Sequence, residues 1–442
     1  MKKFFATCMA VVMLVGTFAM FTACNDNGGG SGGTNGDNVT LRVWRAAADE
    51  NRNRWWEETL DRFTDLHPHI TIEFLGVPGN PADFMQRLDM AVAANDAPDI
   101  ISTNIDPSFI ARGLLEPLDP FLDSWVARDQ IPDMFLAPFY ALDFNHYPRR
   151  LFGLPHGGNV EVFYVRPDLI HAAGMSIPTT WDEFFDVAAA TTDRAQGVFG
   201  YIIRGGGGGP TALLTQMFSY SGITDFFIDG VSTINHPLHV EFVERFFAGF
   251  GVYTSEDDIT KGWPEMAAQF QSGNAAMLIH NLGSARANYE AFDNDTNTVL
   301  AIPYLYSMTG TRVLPTNQPS GNMIMASSQH TEEAWLLINW LAEVEQDSGF
   351  HELMSNLPIN TETLQASWIQ DVSFMRTGAE MMTSPNTQLV LVPSHLPNFT
   401  TIMNSFVGPN IQSVLLGRMT PQELLDDWAE RLQADYDNLM GN

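Results

Sequence analysis

Apolar and polar positions alternate from Val39 to Arg45, take helical spacing from Asn51 to Leu66, and alternate again from Ile70 to Val77. Pro81 opens a helical pattern that runs through Ala94, and Asp99, Ile100 and Ile101 begin a further short strand. This β-α-β-α-β order predicts a mainly parallel sheet covered by helices. A second cycle starts with a strand from Asn159 to Val165, followed by a helix ending at Gly174, a residue suited to a left-handed C-cap. Thr180, Trp181, Asp182 and Glu183 read as a capping box, and Val198 to Arg204 as a returning strand. Further on, the pattern predicts a helix from Glu265 to Gln271 and strands at Ala275 to Ile279, Val299 to Leu305 and Asn322 to Ala326. A helix from Thr331 to Glu345 carries Ala334, Leu337, Ile338 and Leu341 on one face. The chain closes on Thr420 to Glu423, a capping box with Pro421 at the first helical position, leading a long amphipathic helix to Leu439. The fold class is therefore α/β, in two lobes.

The first residues follow a different pattern. Lys2 and Lys3 precede an almost wholly apolar run from Phe4 to Phe21, and small residues Thr22 and Ala23 stand before Cys24. Residues 1–23 thus read as a signal peptide; the run is also long enough for an uncleaved membrane helix, which stands as the competing reading. Residues 25–38 hold six glycines and no apolar residue, a flexible tether with a reach of roughly 20 Å. Cleavage before Cys24 leaves it as the one cysteine, so no internal disulfide forms in an exported protein.

Charge narrows the function. The 442 residues carry 22 Lys and Arg against 52 Asp and Glu, a formal net charge of −30. No basic surface exists to neutralise phosphates, which argues against a nucleic-acid partner. Beyond Lys2 and Lys3 the one lysine is Lys261, so lysine chemistry is nearly excluded. No Gly-x-Ser-x-Gly, His-Glu-x-x-His or Gly-Lys-Ser/Thr motif occurs, and neither a catalytic residue nor a cofactor is assigned. His67 with His69 and His236 with His239 have a spacing open to metal, but no third ligand stands near in sequence, and they read as surface loops with no metal. Gly205 to Gly209, without a following lysine, reads as a mobile loop rather than a phosphate cradle. A secreted glycosidase stays as a remote alternative because 52 carboxylates supply acid/base pairs by chance.

Several segments in order carry a resemblance. They are Ala97-Pro98-Asp99-Ile100-Ile101, Gly113-Leu114-Leu115-Glu116-Pro117-Leu118, Leu151-Phe152-Gly153-Leu154-Pro155, Phe163-Tyr164-Val165-Arg166-Pro167-Asp168-Leu169, Pro178-Thr179-Thr180-Trp181-Asp182-Glu183-Phe184 and Gly273-Asn274-Ala275-Ala276-Met277. Over nearly the whole chain from Val39 to Tyr436, the sequence resembles the extracellular solute-binding proteins of ABC importers, in the family that includes maltose- and oligosaccharide-binding proteins. Phe21-Thr22-Ala23-Cys24 resembles a bacterial lipobox, with lipid carried on Cys24.

The resemblance implies a two-lobed, type II periplasmic-binding-protein-like fold with a ligand cleft between the lobes. Crossings fall near Gly157 to Asn159 and near Ser320 to Met323, where Gly157, Gly158 and Gly321 suit hinges. One lobe then combines 39–157 with 323–372, the other 158–322 with 373–442, after a lipid-anchored linker at 24–38. It also implies a monomer outside the cytoplasmic membrane, anchored as a lipoprotein, that hands a small solute, foremost a sugar, to permease subunits. Other solutes (polyamine, peptide, polyol phosphate) and a sensor-presenting role are alternatives. Placed on the family pattern, the ligand-binding residues are Arg45, Asp49, Thr103, Asn104, Asp106, Asn159, Ser320, Asn322 and Phe399. Asp106 equally suits an N-cap ahead of Pro107. Many relatives place a stacking tryptophan after the strand at 275–279, where this chain has Gly283; Trp44, Trp263 and Phe399 are the available substitutes.

Overall fold

Strand β1, Val39–Arg45, buries Leu41 and Val43 completely because it lies between two neighbours, β2 (Ile70–Gly76) and β3 (Ile100–Asn104), both parallel to it. The helices Glu50–Leu66 and Pro81–Ala93 connect these three strands. The computed structural model describes residues 38–46, 49–78, 81–132, 135–136, 139–140, 149–157, 160–316, 320–354, 356–393 and 395–441. Residues 1–37, with the expected signal peptide, Cys24 and all of the expected linker but Asn38, lie outside that set, as do Gly158 and Asn159.

The first sheet has five strands in the order β2-β1-β3-β9-β4, where β4 is Leu154–Gly157 and β9 is Ser320–Ile324. A second sheet sets β5 (Glu161–Val165) between β6 (Met277–Asn281) and β7 (Leu300–Ile302). Strand β8 (Arg312–Thr316) pairs in parallel with β10 (Thr387–Leu391). Each of the two larger sheets runs mainly in one direction, with one reversed strand: β9 is antiparallel to β3 and β4, and β5 to β6 and β7. The reversed strands have a topological cause. Both enter their sheets where the other strands end, so they must run back against them. The described residues thus form two separate larger sheets with helices about them, and no closed barrel among them.

Local chemistry explains the helix ends. Thr180 accepts from the Glu183 backbone N–H while Glu183 accepts from the Thr180 N–H, and Thr420 and Glu423 repeat the arrangement at the last helix, Pro421–Met440. Gly174 takes φ +74°, the left-handed conformation its position predicts.

Two expectations need correction. Val198 to Arg204 is not a regular strand: it makes one parallel bridge, from Phe199 to Ala275, while Gly200 N–H donates to Tyr253 and Ile203 N–H to the Asp258 carboxylate. With its donors spent elsewhere, no ladder forms. The helix expected from Thr331 to Glu345 is two helices, Thr331–Leu341 and Val344–Met354. Gly157 and Gly321 have ordinary φ and stand where space is short. A Cβ on Gly157 would stand 2.8 Å from His351 Cε1, and one on Gly321 would stand 2.7 Å from the Leu154 carbonyl.

Candidate functional site

Strands β1, β3 and β4 end, and β9 begins, on one edge of the first sheet. In open α/β sheets ligands settle outside the carboxyl ends of the strands, where the strand order reverses. Register places side chains there: Ser320 lies opposite Asn104, Asn322 opposite Ser102, and Ser102 opposite Arg45. Ser320 Oγ donates to Asn104 Oδ1 at 2.6 Å, and Asn104 is exposed at the edge. Asp106 follows two residues later and accepts from Ser108 N–H at 2.8 Å, as N-cap of the short helix Pro107–Ala111. Asp49 is likewise an N-cap, accepting from Arg52 N–H at 2.9 Å, and pairs with the Arg52 guanidinium.

Behind this edge lies a buried polar cluster covered by helix Val344–Met354. Arg45 is buried with its guanidinium 5.1 Å from the centre of the Phe350 ring and 6.0 Å from that of Trp56. Burial lowers its pKa to about 10, helped by Arg52 and opposed by Asp49. Its Nη1 donates to the Ala46 carbonyl, while Nε, like Oδ1 of buried Asn322, has no partner among the described residues. His351 donates from Nε2 to the His156 carbonyl and contacts Asn356 Oδ1 through Nδ1 at 2.7 Å, with Asp347 Oδ1 at 3.3 Å. Burial alone pulls the His351 pKa down, but Asp347 and these hydrogen bonds outweigh it and leave the pKa raised. His156 is driven the other way, to about 3, by burial, His351 and Arg45.

Thr103 is buried on β3, pointing opposite to Ser102 and Asn104. Phe399 is buried among apolar neighbours of the core. Asn159 lies outside the described residues.

The second sheet presents a comparable edge. Glu161 begins β5 opposite Asn281 at the end of β6, and the bridge from Phe199 to Ala275 carries the neighbouring segment alongside β6 to Arg204. Glu161 accepts from the Tyr304 hydroxyl at 2.7 Å, and burial raises its pKa against the pull of Tyr304 and Arg204. Arg204 is half-buried, donates from Nε to the Gly207 carbonyl at 2.7 Å, and lies 4.4 Å from the centre of the Trp263 ring. His280 stacks on the same indole at 3.8 Å between ring centres. Its nitrogens contact Ser284 Oγ and the Trp263 carbonyl, and burial holds its pKa down at about 4. Of the substitute stacking aromatics, Trp44 is buried and Trp263 is engaged by Arg204 and His280.

The glycine run is packed, which overturns its reading as a mobile loop. A Cβ on Gly205 would lie 2.7 Å from Asp258 and Ile259 backbone atoms, and one on Gly206 would overlap the Thr260 carbonyl. Gly208, at φ +79°, leaves room for the Arg204 guanidinium, which a Cβ there would strike. Sequence reading missed Arg204, Glu161 and Tyr304; the glycine run beside Arg204 was the available signal. His239 also proves to be a core residue, bonded to Ser221 and the Thr233 carbonyl, and no group of three or more metal-ligating side chains occurs among the described residues.

The described residues form two larger sheets, each with polar side chains at one strand-end edge. Residues 47–347 match the family model of the bacterial extracellular solute-binding proteins, and the chain belongs to that family. A binding protein of Brucella abortus is 24% identical over 86% of this chain and 89% of its own. The sn-glycerol-3-phosphate-binding periplasmic protein of Salmonella typhimurium is 23% identical over 89% of this chain and 91% of its own. The sugar-binding protein MalE of Xanthomonas citri shares the fold, with a TM-score of 0.74 at 16% identity over 91% of this chain and 98% of that one. Proteins of this family bind small solutes outside the cytoplasm, work with ABC permeases and are generally not enzymes.

Proposed function

We propose that this protein captures a carbohydrate or polyol from outside the cell, between the ends of its two sheets, and delivers it to an ABC permease. The observation that carries the reading is the placing of hydrogen-bonding side chains at both strand-end edges: Asn104, Asp106 and Ser320 on one, Glu161 and Arg204 on the other. Such groups at a cleft suit hydroxyl-rich solutes. Sheet membership supports lobes of 39–157 plus 323–372 and 158–322 plus 373–442, with β9 as a whole assigned to the first. The reading includes a lipid on Cys24 that holds a monomer at the membrane; an unmodified Cys24 in the mass spectrum of the mature protein would dispose of the anchor.

The test is a thermal-shift screen over mono- and oligosaccharides, polyols, polyamines and peptides. A true ligand at 100 times its Kd stabilises the fold by about 2.7 kcal/mol. Stabilisation by peptides or polyamines alone would replace the carbohydrate reading with a non-sugar one. Turnover of a glycoside would replace it with an enzyme.

A further inference from the structure

Arg204, like the buried Arg45, makes no ion pair among the described residues of a strongly acidic chain, whereas many of its arginines do. Arg42, Arg52, Arg54, Arg62, Arg112 and Arg245 each lie within 4.0 Å of a carboxylate. Arg204 makes no such pair among the described residues, although it is half-buried and burial lowers its pKa. Glu161 is near enough to act on it through the field, but makes no ion pair with it and instead accepts from Tyr304.

The guanidinium is also held in one orientation. Its Nε is committed to the Gly207 carbonyl, its Cζ lies 4.4 Å from the centre of the Trp263 ring, and His280 stacks on the same indole. Gly208 gives way to it because a side chain there would collide with Nη2. The end of the fork, Nη1 and Nη2, has no acceptor among the described residues. A planar fork with both terminal nitrogens free matches two oxygens of a carboxylate or phosphate, and charge-assisted pairs of this kind are about twice as strong as neutral ones. A ligand hydroxyl would satisfy the hydrogen bonds but leave the buried charge uncompensated.

We propose that Arg204 is the specificity residue for an acidic group, carboxylate or phosphate, borne by the sugar or polyol that this protein binds. The inference rests on the solute-binding reading above and adds the ligand's charge to it. On a protein of net charge −30 a general attraction for anions is absent, so selectivity must come from a fixed local cation.

Calorimetry on the purified protein tests it with matched probes: digalacturonate against galactobiose, glucose 6-phosphate against glucose, sn-glycerol 3-phosphate against glycerol, and inorganic phosphate alone. The expected result is that at least one acidic probe binds 10-fold or more tightly than its neutral partner. The digalacturonate arm and the phosphate arms separate the two sources of charge, and tighter binding of the phosphate ester than of inorganic phosphate shows that the sugar or polyol is read too. Arg204→Gln should weaken the acidic probe 10- to 100-fold with little effect on the neutral one, and Arg204→Lys should keep part of the preference. Ligand-free melting temperatures of both variants report any loss of fold. Neutral probes that bind as tightly as acidic ones, or an unchanged preference in a folded Arg204→Gln, would overturn the inference and leave the solute-binding reading standing. If neither acidic nor neutral probes bind, the carbohydrate or polyol reading falls with it.

Discussion

Asp106 shows how one residue serves two readings at once. Its carboxylate accepts from Ser108 N–H at 2.8 Å, so the capping role is built, and it stands two residues beyond Asn104 at the strand-end edge. An N-cap carboxylate replaced by alanine costs about 0.5–2 kcal/mol. Asp106→Ala should therefore lower stability by that amount in denaturant titration. Asp106→Asn keeps an oxygen for the cap and should leave stability nearly intact. If Asp106 also meets the ligand, the asparagine variant weakens binding about 10- to 150-fold, the worth of a charge-assisted bond. Full affinity in Asp106→Asn would assign it to the cap alone. In the sequence, Asp106 and Asn104 were placed by the resemblance to the family pattern; in the structure Asn104 ends β3 and Asp106 follows it. Arg204 closes the segment read as a strand, but no site role attached to it, and in the structure that segment forms no ladder because its donors are taken by Tyr253 and Asp258.

At the scale of elements, sequence patterning was informative where one local rule acted alone. Capping boxes at Thr180 and Thr420 and the left-handed Gly174 followed from chemistry within one turn of chain. It failed where distant segments set the requirement. The glycine run at 205–209 looks flexible in isolation, yet its backbone N–H groups donate to the Asp258 and Lys261 carbonyls, some 50 residues away. This distinction has a measurable consequence. Gly206→Ala forces a methyl against the Thr260 carbonyl and should destabilise the protein by about 1–3 kcal/mol, the usual range for overpacking. Gly207 has nothing within 4 Å of its Cβ position and no left-handed φ, so Gly207→Ala should be neutral or slightly stabilising. Equal melting temperatures for the two variants would mean that the loop is loose after all.

Across the whole molecule, the buried histidines make stability depend on pH. Burial lowers the pKa of His156 to about 3 and of His239, His280 and His395 to about 4, with Arg149 adding to the shift at His395. Below the ordinary pKa of about 6.5, the unfolded chain takes up protons at these positions and the folded one does not. The stability they contribute is therefore complete above pH 6.5 and is lost as the pH falls toward 4, by about 1.4 kcal/mol per pH unit for each group fully in that window. Asp258, raised to about 6 by burial against the pull of Lys261, opposes this: its contribution is present at low pH and disappears as the pH rises through about 6. Glu161 acts in the same sense as Asp258. His351, with a raised pKa, stabilises below pH 6.5 and loses that contribution as the pH rises through its folded value. Four depressed histidines outnumber the opposing acids, so urea midpoints should fall between pH 6.5 and pH 4.5. His239 offers the control, since its ring is fully buried between Ser221 and the Thr233 carbonyl, far in sequence from either strand-end edge. His239→Gln should cost stability at pH 7 and make the acid slope shallower. A slope unchanged by that substitution, or urea midpoints that are flat down to pH 4.5, would show that these histidines take up protons in the folded protein.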